Sequence, residues 1–161
     1  MRTASTARSL VALALTLGLV GATGCGSSDG GATSASAEEA TVRSLDLSGF
    51  GKVVADGASK PLYVITSDPS GKSSCSGSCL KQFKPVTAPG SPSAGPGLEA
   101  SELKTLSRDD GAKQLAYAGH ALYTFTGEGL ISGAGLKSGS GTWYLLSEKG
   151  SPIKTTAAGG Y

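Results

Sequence analysis

The sequence predicts an all-β protein: a single domain of two internally repeated antiparallel β units with approximate twofold symmetry, behind a signal peptide and a flexible tether. Three observations predict it. From position 42 onward apolar residues come in short runs, rich in β-branched and aromatic types and separated by turn dipeptides. No stretch of about 11 residues holds a 3.6-residue period, so no helix of ordinary length is expected. One phrase also occurs twice: 61–68 reads PLYVITSD and 121–128 reads ALYTFTGE, 60 positions later.

The first 24 residues read as a lipoprotein signal peptide. Arg2 and Arg8 form a basic n-region. The uncharged run 10–20 has about 11 residues, far short of the roughly 20 that cross a bilayer. Small residues Gly21-Ala22-Thr23-Gly24 lead into Cys25, which resembles the lipobox of bacterial lipoproteins, with Ala22 where that pattern usually has Leu. The resemblance implies cleavage before Cys25 and diacylation of its thiol, with palmitate-class chains. Two acyl chains hold a protein stably at a membrane where one is marginal. The plainer alternative is ordinary secretory cleavage with Cys25 as a bystander. Either way the location is extracytoplasmic, with the lipid anchor placing it on the bacterial cell membrane.

Residues 25–41 form the tether. After Cys25 they read GSSDGGATSASAEEAT, with no large apolar side chain to offset the entropy of ordering. At random-coil dimensions they hold the domain on the order of 20 Å from the bilayer. Without Arg2 and Arg8, the 14 basic residues fall to 12, matching the 12 acids, so the exported chain is formally neutral. It has no basic stripe, and no nucleic-acid partner is expected.

The folded part is expected at 42–150. Val42–Leu47 and 52–55 are candidate strands, followed by the turn dipeptide Asp56-Gly57 and the strand 62–66, LYVIT. After 104–107 the run Arg108-Asp109-Asp110-Gly111 is a turn. The strand 114–117, the turn Ala118-Gly119-His120 and the strands 122–126 and 143–146 follow; Ser101-Glu102-Leu103 starts at most one helical turn. At an offset of 60, Leu62, Tyr63, Thr66, Asp68, Phe83 and Val86 match Leu122, Tyr123, Thr126, Glu128, Trp143 and Leu146. Upstream the copies align after a shift of about two residues. Repeat 1 therefore covers about 50–86 and repeat 2 about 104–147, joined by a Pro/Gly/Ser linker at 87–97, with 151–161 as a flexible tail. Two copies are too few for a solenoid, so two halves around a shared core are expected.

LYVITSD, GKSSCSGSC, RDDGAKQLAYAGHALYTFTGE and GTWYLL resemble the bacterial secreted-repeat lipoproteins defined by a Tyr-x-(Phe/Trp/Tyr)-x-x-Asp motif. The resemblance covers most of 50–147 and implies an exported or lipid-anchored protein of unassigned biochemical function. Ile65 replaces the motif aromatic in the first copy, Glu128 replaces Asp in the second, and Phe83-Lys84-Pro85 stands where the family has Trp-Pro-Pro.

Four sets of residues carry the candidate chemistry. Cys75 and Cys79, in CSGSC, are the only cysteines after Cys25, and in an exported protein a disulfide is the first reading; redox or metal use are the alternatives. Tyr63 and Tyr123 read as buried packing residues, with Asp68 and Glu128 ending strands as turn acids. The sharper alternative has the two acids meeting across the twofold to hold a cation or work as acid and base. His120 reads as an exposed turn residue without an ordered partner. No nucleophile–base pair is complete and no metal or cofactor set is evident, so the chain is not expected to be an enzyme. The expected role is a non-catalytic binding or scaffolding module for an envelope protein or glycan. The alternative is an accessory in extracytoplasmic redox or metal handling.

Overall fold

Alternating apolar residues and glycine turns lay down the strands. The computed structural model describes residues 41–87, 90–138 and 141–155; Cys25, the signal peptide and all of the tether before Thr41 lie outside them. Strands β1 (Val42–Leu47) and β2 (Gly51–Asp56) pair as an antiparallel hairpin, whose turn closes through the Phe50 amide on the Leu47 carbonyl at 2.9 Å. β3 (Tyr63–Ile65) follows, then a loop, the four-residue helix α1 (Cys79–Gln82) and β4 (Phe83–Pro85). A 3-10 turn at Ala100–Glu102 leads into β5 (Leu103–Ser107) and β6 (Lys113–Tyr117). β7 (His120–Ala121), β8 (Tyr123–Phe125), β9 (Lys137–Ser138), β10 (Gly141–Leu146) and β11 (Pro152–Ile153) complete the described chain.

The strands form three antiparallel groups: β1–β2, β5–β6–β7, and a central sheet ordered β11–β10–β3–β8–β4 with β9 on β10. At the centre Tyr63 faces Tyr123. On one side Trp143 pairs with Ile65 and Leu145 with Tyr63; on the other Phe83 pairs with Phe125 and Pro85 with Tyr123. In the hairpins Val42 faces Asp56, and Leu103 faces Tyr117, an offset of 61. The shift between the copies upstream is thus one residue rather than about two, because four residues separate Asp56 from Pro61 and three separate Tyr117 from Ala121.

Both faces of the central sheet are covered, which is why LYVIT reads as a continuous apolar run rather than an alternation. Tyr63, Ile65, Phe83, Tyr123, Trp143 and Leu145 share one core, and Leu62, Val64, Leu122 and Leu146 lie in the other. In the first core the rings of Phe83 and Trp143 stack with centroids 3.6 Å apart and planes 5° apart. Their strands are three spacings apart along the sheet, about 14 Å if it were flat. The sheet is therefore curled, and the two rings fill its concave side. Tyr63 meets Phe83 edge-on at 5.6 Å and Tyr123 meets Trp143 edge-on at 5.0 Å, presenting positive ring edges to negative faces.

Several expectations shift at the edges. Pro152–Ile153, inside the segment read as tail, pairs with β10. The linker is pinned rather than free where it is described: Ala94 bridges Val42, and the Gly95 amide donates to the Val42 carbonyl at 2.8 Å. His120 is half-buried in β7 rather than exposed. The turn before it has positive φ at both Ala118 (49°) and Gly119 (79°), the type I′ pattern of a two-residue hairpin.

Trp143→Ala removes half of the ring stack and the face that Tyr123 abuts. It is expected to cost about 3–5 kcal/mol of unfolding free energy in urea titrations, against under about 0.5 kcal/mol for an exposed change such as Lys84→Gln.

Candidate functional site

The two motif tyrosines point their hydroxyls in different directions. Tyr123 donates to Asp68 Oδ2 at 2.7 Å, and its oxygen lies 2.6 Å from Ser73 Oγ. Asp68 Oδ1 accepts from the Ser74 amide at 2.7 Å and the Ser74 hydroxyl at 2.6 Å. The acid of the first copy is thus held by the tyrosine of the second. Tyr63 donates instead to the Leu130 carbonyl at 2.9 Å. Glu128 is exposed and makes no hydrogen bond or ion pair among the described residues, and it shares no partner with Asp68. Among the described residues no group of three His, Cys, Asp or Glu side chains is placed to hold a metal ion.

A residue read from sequence only as the first position of a turn organises this region. The Arg108 side chain is 7% exposed, and its fork is almost fully used. Nη1 donates to Ser73 Oγ and to Gln114 Oε1, the latter at 2.8 Å; Nη2 donates to the Cys75 carbonyl at 2.9 Å; Nε pairs with Asp110 at 3.3 Å. Gln114, fully buried, passes its amide on to the Leu122 carbonyl at 2.8 Å. A guanidinium can be buried at this depth because its donors find fixed acceptors. The Ala112 amide and then Arg108 hold the Asp110 carboxyl below its ordinary range. The signal in the sequence was faint: an arginine opening a turn with two acids, and a glutamine at a strand position.

The network ties the loop 66–78 to β6 and β8. Within that loop Cys75 and Cys79 form a disulfide, with Cα atoms 5.5 Å apart. Closing so short a loop stabilises by only about 2 kcal/mol on the chain-entropy account, so the polar ties carry much of its order. Cys75 is buried and Cys79 half-buried, and both line a pocket of about 370 Å³ with Ser76, Ser78, Gln82 and Lys137.

The corresponding loop of the second copy is built differently. Instead of a disulfide it has glycines, and an added Cβ at Gly133 would sit 2.9–3.1 Å from the rings of Tyr63 and Phe125. The backbone therefore lies directly on Tyr63, which is how the phenol reaches the Leu130 carbonyl. Beside it a pocket of about 270 Å³ is lined by Lys60, Pro61, Tyr63, Thr124, Phe125 and Leu130. Leu130, 58% exposed, is the exposed large hydrophobic side chain among the described residues.

Residues 104–147 match the model of a family described as a secreted repeat of unknown function, the family that the motifs of both copies resemble. The match runs from the second residue of β5 to one residue past the end of the Trp143 strand, and it indicates an extracytoplasmic location. Among the described residues no helix is long and apolar enough to cross a membrane. Comparison with curated proteins and with solved structures gives no match.

Burial pushes the Tyr63 phenol up to about 12, against a Gly133 amide that lowers it. Burial also pushes Tyr123 to about 12; the Ser73 hydrogen bond lowers it and Asp68 raises it. Both folded values lie above the ordinary phenol value of 10.0, so each group's contribution is complete below pH 10 and is lost as pH rises through about 12. Unfolding free energy is expected to be flat up to pH 10 and to fall above it with a limiting slope of about 1.4 kcal/mol per pH unit for each tyrosine. Chemical denaturation across the alkaline range measures this. Tyr123→Phe should remove half of the slope.

Proposed function

We propose that the chain, whose second copy is a secreted repeat of this family, is a membrane-anchored cell-envelope lipoprotein acting as a non-catalytic binding or scaffolding module. Its partner is an envelope protein or glycan, and the anchor is lipid on Cys25. The observation that carries the binding role is the exposed Leu130 beside a pocket floored by Tyr63 and Phe125, on a loop seated on the motif tyrosine. The groups capable of acid–base work support the non-catalytic part: Asp68, Ser73, Arg108 and Tyr123 are bonded to one another, as a brace.

The domain is a duplicated unit with approximate twofold symmetry. What supports this is the register. Phe83–Phe125 and Trp143–Ile65 are the same pair under exchange of the copies at an offset of 60, as are Pro85–Tyr123 and Leu145–Tyr63. The Val86 amide donates to the Leu122 carbonyl, and its counterpart Leu146 donates to Leu62. The axis then passes between Tyr63 and Tyr123, the one pair that maps onto itself.

Two measurements test the proposal. The detergent-purified protein, immobilised over solubilised envelope proteins and over cell-wall glycan fragments, should retain a partner that Leu130→Ser binds at least roughly tenfold more weakly, as expected for a buried apolar anchor. Equal retention by both proteins removes the Leu130 face from the account. Cys25→Ala should move the protein from the membrane fraction to the soluble extracytoplasmic fraction; a variant that stays membrane-bound would refute the lipid anchor.

A further inference from the structure

The first-copy loop holds its disulfide in an unequal setting. Cys75 is 3% exposed, while Cys79 is half-buried at the start of α1 and open to the polar pocket. Lys137 on β9 stands at that pocket, exposed, and the Ser76 and Ser78 hydroxyls line it. Arg108 Nη2 donates to the backbone carbonyl of Cys75. The acids bonded in this network are Asp110, paired with Arg108 at the surface, and Asp68, whose oxygens are taken by Tyr123 and Ser74.

Independent ties also hold the loop. Asp68 binds the Ser74 amide and hydroxyl, Tyr123 and Arg108 bind Ser73, and Arg108 binds the Cys75 carbonyl, none through sulfur. Cys79 is carried by α1, which runs directly into the central strand β4. With the sulfur–sulfur bond open, both cysteines would stay where they are. A bond whose only task was to hold the loop would be largely redundant; a bond made and broken reversibly requires such a frame.

We infer that Cys75–Cys79 is a thiol–disulfide exchange site for an exported dithiol protein, with Cys79 as the sulfur attacked and Cys75 as the leaving group. The partner's thiolate enters the serine- and lysine-lined pocket and bonds to Cys79 Sγ. The Cys75–Cys79 bond breaks, and its electron pair leaves on Cys75 Sγ as a thiolate. The partner's second thiolate then attacks its own sulfur in the mixed disulfide, forming the partner's disulfide and releasing Cys79. The partner is oxidised by two electrons, this protein is reduced by two, and the partner's two protons end on Cys75 and Cys79. The geometry sets the direction of attack because exchange requires approach to an accessible sulfur, and of the two only Cys79 is more than marginally exposed.

Glutathione tests this on the full exported protein in detergent. After equilibration with millimolar reduced glutathione and rapid alkylation, peptide mass mapping should find glutathione on Cys79 and the alkyl group on Cys75. Trp143 emission should remain native in the reduced protein. Lys137→Glu, a surface change, should slow exchange with anionic glutathione roughly tenfold while leaving exchange with cysteamine, whose attacking thiolate form is a net-neutral zwitterion, within about twofold. Glutathione on Cys75, no adduct at all, loss of native emission on reduction, or equal slowing for both thiols would each overturn the inference. The Leu130 face is untouched by these variants, so its binding test stands or falls separately.

Discussion

The contact on which the rest of the structure depends is the stack of Phe83 on Trp143. These rings come from β4 and β10, two strands of the central sheet that are not neighbours in it, and meet on its concave side. A face-to-face pair is not the arrangement two isolated aromatic rings prefer. Here it is held by the tyrosine edges of Tyr63 and Tyr123 and by the pairing that sets Tyr63 opposite Tyr123. The apolar area removed from water at this point is what joins the copies, and the curl of the sheet follows from bringing the two rings together.

Around this shared core the two segments differ where they face solvent. The first copy spends its motif acid, two serines and the disulfide on fastening one loop to the second copy's tyrosine and to Arg108. The second copy replaces those ties with glycines, so its loop backbone rests on the Tyr63 ring and leaves Leu130 exposed. One scaffold thus presents two chemically unlike faces: a polar, sulfur-bearing one and an apolar one. Nothing in the core has to change when either face does, because the ring stack and the strand registers are shared.

Much of the framework was legible. The runs at 42–47, 62–66, 114–117 and 143–146 are strands within a residue or two at each end, because β-branched and aromatic residues between glycine turns leave few other options. The repeat phrase located Tyr63 and Tyr123 and pointed to Phe83 and Trp143. β7, β9 and β11 were not legible, since two-residue strands carry no period. They exist only because β6 and β10 offer free edges to pair with. Arg108 was not legible either: in sequence it is one turn residue among charged neighbours, and its acceptors come from Ser73 and Cys75, 35 and 33 positions away.

By itself, then, the sequence determined most of the strand inventory, the recurring Tyr phrase and the cysteine pair, all of which rest on local pattern or on short spacing. Only the tertiary structure decided which tyrosine holds which acid. A motif spells out Tyr and Asp in one copy, and intuition pairs them there. β3 ends at Ile65, and the turn beyond it carries Asp68 to Tyr123 of the other copy, while Tyr63 turns to the Leu130 carbonyl. That choice depends on loop geometry and long-range packing, and neither is written in the spacing of residues along the chain.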